Sequence, residues 1–571
     1  MTVGRATIPE VNPTPRSFVR QYLVLALLFM GFAALITRAG YLQLVMKDYL
    51  QAQGDARYER VVETKANRGM ILDRHGEVLA VSTPVDSVWA HPPTLLYEGH
   101  SWAKLAKALK TSESSLRSLL ESNQDREFVY LKRHLSPPLA NQLVALDIPG
   151  VGLLREYRRY YPAGPVFGQI LGFTDIDDVG QEGLERLFNG QLSGVAGRAR
   201  VLRDRVGHIV ESTELINPAL DGEDLRITID SRIQYLAYRH LSAAVNEHRA
   251  FGGSVVVLDA RNGDVLAMVN QPHFNPNNRS DRKPEQFRNR AVTDVFEPGS
   301  TIKPFTVAMA LQSRLLGPNT SIETTPGVLR IGRNRVRDHH DYGLLTVSSV
   351  IMKSSNVGAA KIAMMTDPGA LIDVLGATGF GASTGINIPG EVAGMVPSRK
   401  LKAFEHATLS FGYGMSATTL QLARAYTALA NDGRLLSPRM IRGQVPVATR
   451  EVFKPGVARH LSNMLEMAVS KEGTGFSAQV PRYRIAGKTG TVHKIVDGKY
   501  AKDRYRSLFA GYGPVSRPRL VMVVVIDDPR GEHYYGGKVA APVFSKVMSG
   551  ALRLLNVSPD REKSPAGEIK T

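Results

Sequence analysis

Ser300 and Lys303 stand three residues apart in FEPGSTIKPF (296–305), directly after Pro-Gly and just ahead of an apolar run. A serine hydroxyl is a weak nucleophile and needs a base within hydrogen-bond reach before it can attack a carbonyl. If the helix begins near Ser300 or Thr301, one turn separates the serine from the lysine and both side chains can share a face. Pro304 favours that start, because it has no N–H to donate and fits where helix donors are orphaned anyway. The plainer reading makes Ser300 or Thr301 an N-cap, with Val307, Ala308, Met309 and Leu311 as a buried face. The S-x-x-K spacing alone does not choose, since a chain of this length holds roughly two by chance. The second copy, Ser101 and Lys104 in SWAKLAKALK, reads as an amphipathic helix and serves as an internal control.

Two later motifs join the first. KSSNVG puts Ser354 and Asn356 at the start of a small-residue helix, and AGKTGTV puts Lys488, Thr489, Gly490 and Thr491 on a strand. Strand alternation sets Thr489 and Thr491 on one face and Lys488 on the other. Lys303 must be neutral to act as a base, and lowering it by about three units from the usual 10.4 or so costs roughly 4 kcal/mol. Apolar neighbours such as Phe296 and Phe305, together with the second cation Lys488, supply such a shift. The chain has no cysteine, which excludes disulfides, a thiol nucleophile and thiolate metal sites. His339-His340 is the only adjacent histidine pair and no HExxH is present, so neither a metal nor a cofactor is expected.

Several elements must position these groups. Asp230 reads as the N-cap of an amphipathic helix, SRIQYLAYRHLSAAV. SVVVLDA and DVLAMVN flank Arg-Asn-Gly, a hairpin signal. Strand-like runs return in RYRIAGKTGTV, RSLFAGYGPV and RLVMVVVIDDP, and PVFSKVMSGALRLL closes as a helix. A hairpin and late strands around a helical middle predict an α+β fold, one antiparallel sheet covered by helices. Between about Lys47 and Asp221 the pattern mixes short extended stretches with one helical region, Ser101 to Glu121. RGMILDRHGEVLAVS there reads as two strands joined at Arg-His-Gly, and YRRYYPAGPVFGQILGF and GQEGLERLFNGQLSGVAG are punctuated by glycine. Without an acid–base pair or phosphate loop, that region reads as a spacer or docking module.

With 571 residues the chain is long enough for two or more domains. Its net charge of +18 suits an anionic membrane surface, an acidic polymer or nucleic acid. No nucleic-acid motif accompanies that charge, so nucleic acid is not expected as a partner. Between Arg20 and Arg38 run seventeen residues without a charge, QYLVLALLFMGFAALIT. Extended through Leu42, with Arg38 snorkelling, the run is long enough to span a bilayer. Arg5, Arg16 and Arg20 precede it, which leaves the short N-terminus in the cytoplasm and the remainder outside. No A-x-A site follows, so an uncleaved single-pass anchor is expected rather than a signal peptide. The expected division is a cytoplasmic tail (1–20), a transmembrane anchor (21–42), a pedestal (43–221), a catalytic domain (222–558) and a loose tail (559–571).

S-x-x-K, S-x-N and K-T-G-T, in that order behind a membrane anchor, resemble the penicillin-binding proteins, serine peptidases that cross-link bacterial peptidoglycan. The resemblance covers nearly the whole chain. RGMILDRHGEVLA, RYYPAG, GQEGLE, FEPGSTIKPF, KSSNVG, SFGYGMSATTLQLARAYTALANDG, GKTGT and YYGGKVAAPVF are similar to class B members. Size and anchor look like the division-type, penicillin-binding protein 3-like enzymes. The resemblance implies an elongated, mixed, dimerisation-type pedestal before a transpeptidase domain that joins stem peptides and is acylated by β-lactams. It also implies a bacterial inner-membrane, periplasm-facing location, with a glycosyltransferase and other cell-division membrane proteins as partners. In that scheme Ser300 attacks a terminal D-Ala-D-Ala carbonyl and Lys303 is its base. Ser354 relays the proton to the leaving D-Ala, and Asn356 holds substrate and lysine. Lys488 reaches towards Ser354, and the N–H groups of Ser300 and Thr491 form the oxyanion hole. The Thr489 and Thr491 hydroxyls bind the substrate carboxylate, and Gly490 lets the ligand approach. Phe411, Tyr413 and Tyr535 are candidate walls for the apolar part of the substrate, or core aromatics. Alternatives within the resemblance are an elongation-type or specialised paralogue, a β-lactamase or carboxypeptidase, and a non-catalytic penicillin sensor or divisome scaffold. The anchor, the pedestal and Ser355, where class A lactamases carry aspartate, speak against a lactamase.

Overall fold

The computed structural model describes residues 15–50, 59–97, 102–203, 209–280, 283–397, 401–443 and 449–561. The control serine, Ser101, lies outside them, as do Arg5 and most of both tails. Helix α1 (Pro15–Gly40) runs into a π-turn at Tyr41–Val45. From Phe18 to Val45 it is long and apolar enough to cross a membrane and is unburied throughout. The Arg38 guanidinium lies over the Tyr41 ring at 5.6 Å, near the end of the charge-free run.

The chain packs as two compact units, both discontinuous in sequence. The first takes residues 1–65, 86–155 and 196–219. In it, strand Gly197–Arg203 pairs antiparallel with Glu59–Thr64 on one side and Ile209–Asn217 on the other. The helical region expected from 101 to 121 is two helices, Trp102–Leu109 and Glu113–Glu121. Lys110 at φ +55 ends the first, and the Ser112 hydroxyl caps the second by accepting the Ser115 N–H. Trp102, Leu105, Leu109, Leu116 and Leu120 form one small core with Val88 and Leu135.

The second unit takes residues 66–85, 156–195 and 220–571. Its sheet is built from β1 (Gly252–Asp259), β2 (Val265–Gln271), β3 (Ala486–Val496), β4 (Lys499–Gly513) and β5 (Leu520–Asp527), in the order β2-β1-β5-β4-β3 and antiparallel throughout. The Arg-Asn-Gly turn joins β1 and β2 as the sequence signal predicts. These central strands are apolar without alternation because helices cover both faces. Val255 and Val257 face a layer with Ile233, Leu241, Phe544 and Met548, from α2 (Ser231–Glu247) and α8 (Gly536–Leu554). Val256 and Leu258 face the opposite layer. That layer includes α3 (Lys303–Gln312), α6 (Thr419–Ala430) and α7 (Pro455–Ala468). Full burial of each such side chain contributes about 1.5–3 kcal/mol. Asp230 caps α2 as expected, accepting the Arg232 N–H.

Segments 66–85 and 156–195 belong to this unit, so a single cut at residue 222 does not describe the packing. Ile71–Leu72 pairs antiparallel with Val78 and Ala80 and parallel with Leu225–Arg226. The Glu185 carboxylate, fully buried, accepts Arg68 Nε at 2.8 Å and Arg159 Nε at 2.7 Å. Removing one partner of such a buried pair costs about 3–5 kcal/mol, because the other charge stays behind uncompensated. The glycine-punctuated stretches are therefore structural parts of the larger unit.

Candidate active site

Ser300 sits in a 3-10 turn, Gly299–Ile302, that feeds directly into α3 with Pro304 in its first turn. Gly299 adopts φ +56, and a Cβ there would lie 2.3 Å from Val492 Cγ1 on β3. Only glycine allows both the left-handed backbone and that approach. Neither Ser300 nor Thr301 caps the helix, and Thr301 Oγ donates to the Pro298 carbonyl at 2.7 Å. The cap reading of FEPGSTIKPF is thus not realised. Ser300 remains partly exposed, while Phe305 is buried against the edges of Phe380 and Tyr426.

Lys303 is fully buried one turn further on. Its Nζ donates to the Ser354 carbonyl at 2.5 Å, to Ser354 Oγ at 3.2 Å and to Asn356 Oδ1 at 2.8 Å. Burial holds its pKa well below the usual lysine value, Lys488 lowers it further, and Asp338 opposes both. The direction and the first two causes match the expectation from Phe296, Phe305 and Lys488.

The backbone around S-x-N explains how two polar side chains reach one lysine. Helix α4 (Val347–Lys353) ends at Ser354, which takes a left-handed conformation, φ +61 and ψ +37. Ser355 then caps α5 (Asn356–Met364), its hydroxyl accepting the Gly358 N–H at 2.8 Å. Asp338, just past strand Asn334–Arg337, accepts the N–H groups of Asn356 at 2.5 Å and Val357 at 3.1 Å and the Ser355 hydroxyl at 2.5 Å. A carboxylate on orphaned helix donors is favourable through both hydrogen bonding and the helix dipole. No fixed spacing links Asp338 to KSSNVG, and sequence reasoning missed it.

Lys488, also fully buried, has its pKa lowered by burial to about 7. Its Nζ donates to Thr474 Oγ at 3.5 Å, to the Thr489 carbonyl at 3.3 Å and to Thr489 Oγ at 3.4 Å. Thr474 and Thr489, the partners of Lys488, have hydroxyls 2.8 Å apart. Thr491 Oγ accepts the Gly536 N–H at 2.9 Å, at the start of α8. Gly490 is backed by Pro298 and Thr301, each 3.2 Å from where a Cβ would sit. The close approach at Gly490 is thus made by the turn that carries Ser300.

The three aromatic candidates separate. Phe411 is buried in the core, its ring edge against Tyr413 at 5.7 Å. Tyr413 is partly buried and meets Tyr500 at 5.8 Å. Tyr535, 45% exposed, stacks on Tyr534 at 4.5 Å, which stacks on Tyr505 at 4.0 Å. Tyr505 and Tyr534, both half-buried, continue the aromatic stack beyond what the motifs indicate.

The site gathers a partly exposed serine, two buried lysines of depressed pKa and a serine and an asparagine on one of them. Such a set suits acyl transfer through a serine ester. The family model described as penicillin binding protein transpeptidase domain matches residues 253–549, and the penicillin-binding protein dimerisation domain matches 63–227. Peptidoglycan D,D-transpeptidase FtsI of Escherichia coli K12 is 39% identical over 545 residues, 94% of this chain and 92% of that protein. Probable peptidoglycan D,D-transpeptidase PenA of Neisseria meningitidis is 40% identical over 567 residues, 98% of this chain and 97% of that protein. The TP domain from Burkholderia pseudomallei penicillin-binding protein 3 superposes with a TM-score of 0.54 at 41% identity, over 58% of this chain and 97% of that domain. With both domain types matched and relatives aligned nearly end to end, the chain belongs to the penicillin-binding protein transpeptidase family.

Proposed function

We propose that the chain is a membrane-anchored, division-type peptidoglycan D,D-transpeptidase in which Ser300 is the nucleophile. Ser300 Oγ attacks the carbonyl between the two D-alanines of a stem peptide while neutral Lys303 takes its proton. The N–H groups of Ser300 and Thr491 receive the developing oxyanion. Ser354, bonded to Lys303, passes the proton to the leaving D-Ala nitrogen as the C–N bond breaks. The amine of a neighbouring stem peptide then attacks the Ser300 ester, forming the cross-link and releasing the serine. Asn356 holds Lys303 and the substrate, and Lys488, Thr489 and Thr491 take the terminal carboxylate. A β-lactam acylates Ser300 by the same steps. Tyr413 and Tyr535 line the cleft, and Phe411 supports it from the core.

In this reading α1 anchors the chain in the inner membrane, with the N-terminus in the cytoplasm and the catalytic unit in the periplasm. The pedestal spans 43–221 in sequence, with 66–85 and 156–195 packed into the unit that holds the transpeptidase residues 222–558, and the enzyme acts with a glycosyltransferase and other division proteins. One observation carries the reading: a fully buried lysine, one turn from Ser300, bonded to Ser354 and Asn356. Fluorescent penicillin added to the full chain in detergent tests it. Ser300→Ala abolishes covalent labelling, and Ser101→Ala leaves it at the wild-type level. Labelling that survived loss of Ser300 would assign the ester to another residue.

A further inference from the structure

Glu297 stands three residues before Ser300 in the same turn-forming segment. Its Oε1 accepts the Gly414 N–H at 2.9 Å and the Tyr500 hydroxyl at 3.0 Å. Its Oε2 is buried with no hydrogen-bond partner among the described residues. Burial pushes the carboxyl's pKa up, opposed by the two bonds to Oε1. A half-satisfied carboxylate in such a place is destabilising in itself, and an apolar side chain would pack there without that penalty.

What the carboxylate joins is informative. Gly414 belongs to the turn 411–414, whose Gly412 carbonyl accepts the Gly299 N–H at 3.2 Å. Tyr500 lies at the tip of the β3–β4 hairpin, paired with Ile495. From the same turn Tyr413 packs on Tyr500 and takes a backbone hydrogen bond from His493, two residues past Thr491. Glu297 is thus the common acceptor for the turn and the hairpin, on the segment that carries Ser300. The two oxyanion donors sit on different segments, Ser300 on one and Thr491 on the other, and their spacing has to be fixed before the oxyanion forms.

We propose that Glu297 is a positioning residue for acyl transfer, locking the Ser300 turn to the hairpin that carries Thr491 and so setting the distance between the two oxyanion donors. It makes no contact with the reacting atoms. The proposal rests on the reading of Ser300 as nucleophile, and it predicts which kinetic constant moves. Misplacement of one donor slows the bond-forming step and leaves the preceding encounter complex intact.

The test is rapid-quench acylation of the full chain in detergent micelles by a fluorescent penicillin, separating the acylation rate constant from the dissociation constant of the first complex. Glu297→Ala lowers the rate constant by about 100-fold with the dissociation constant unchanged. Glu297→Gln keeps an acceptor at Oε1, places an amide at the orphaned Oε2 position and acylates within about 5-fold of wild type. Tyr500→Phe, at the exposed hairpin tip, removes one of the two bonds and slows acylation by about 5-fold. Wild-type acylation by Glu297→Ala, a loss confined to the dissociation constant, or a glutamine variant as slow as the alanine one would each overturn the latch. If Glu297→Ala does not fold, Tyr500→Phe decides, and a wild-type rate constant there overturns the proposal. Failure of the nucleophile assignment is a separate result, since it shows as labelling of Ser300→Ala.

Discussion

Asp338 Oδ1 accepts the backbone N–H of Asn356 at 2.5 Å, so one carboxylate fixes the turn that presents both Ser354 and Asn356 to Lys303. The same carboxylate favours the charged form of Lys303 and opposes the effect of burial.

Asp338→Asn therefore has two separable consequences. Without the negative charge Lys303 is depressed further, the neutral base persists at lower pH, and the acid limb of the acylation profile moves down in pH. The loosened α5 start costs about 1–3 kcal/mol of stability and slows acylation by about 10-fold at the plateau. Penicillin acylation rates from pH 5 to 9 or so, alongside thermal unfolding, check both. A limb that moved up instead would contradict the assigned direction.

Lys488 carries a stability cost that methionine removes. A pKa of about 7 against the ordinary 10.5 penalises the charged form of the folded state by roughly 5 kcal/mol. Between those values the folded protein binds fewer protons than the unfolded one, so this group makes stability rise with pH. Lys488→Met should accordingly raise stability most below pH 7, by about 2 kcal/mol after imperfect repacking, with the advantage gone above 10.5. Melting temperatures of the full chain at pH 6 and pH 9 or thereabouts give the comparison, and penicillin acylation is lost in the same variant.

Gly299→Ala tests the backbone of the turn that carries Ser300. The left-handed φ costs about 1–2 kcal/mol for alanine, and the new methyl meets Val492. Displacing Ser300 by about 1 Å would slow acylation by roughly 100-fold. Folded protein with slow labelling is the expected outcome, read by circular dichroism and time-resolved labelling.

Penicillin bound at Ser300 should persist for many minutes at neutral pH. Fast hydrolysis needs a carboxylate base aimed at a water on the ester, as the glutamate of class A β-lactamases is. Glu391 accepts Ser383 Oγ, the Thr384 N–H and Thr384 Oγ, and Glu405 closes a capping box on the Lys402 N–H. Both carboxylates are engaged in holding loops and helix starts. Intact mass followed for about an hour after excess drug is removed reads the lifetime directly. Loss of the adduct within seconds would make the chain a hydrolase.

The parts of this structure legible in the sequence are those fixed by local chemistry. Arg-Asn-Gly dictates the β1–β2 hairpin, Asp230 caps α2, and S-x-x-K puts Lys303 one turn from Ser300 wherever the turn begins. The shift of Lys303 was also accessible, because a lysine inside an apolar run has few ways to keep water. Asp338, Thr474 and Glu297 were not, since each acts on residues distant in sequence and the pairing depends on how separate loops meet. The break at Lys110 escaped periodicity because two short amphipathic helices and one longer one present the same apolar spacing.

Strand β5, Leu520–Asp527, lies in the middle of the five-stranded sheet, between β1 and β4, although it is the last of the sheet's five strands in sequence. A protein synthesised from its amino end therefore delivers both flanking pairs before the piece that unites them. Until about residue 527 has emerged, the β1–β2 and β3–β4 hairpins each present an apolar strand with an unpaired edge, the kind of surface that recruits neighbours into aggregates. A chain ending between residues 513 and 520 has two open edges, which chaperones and proteases have to hold or remove.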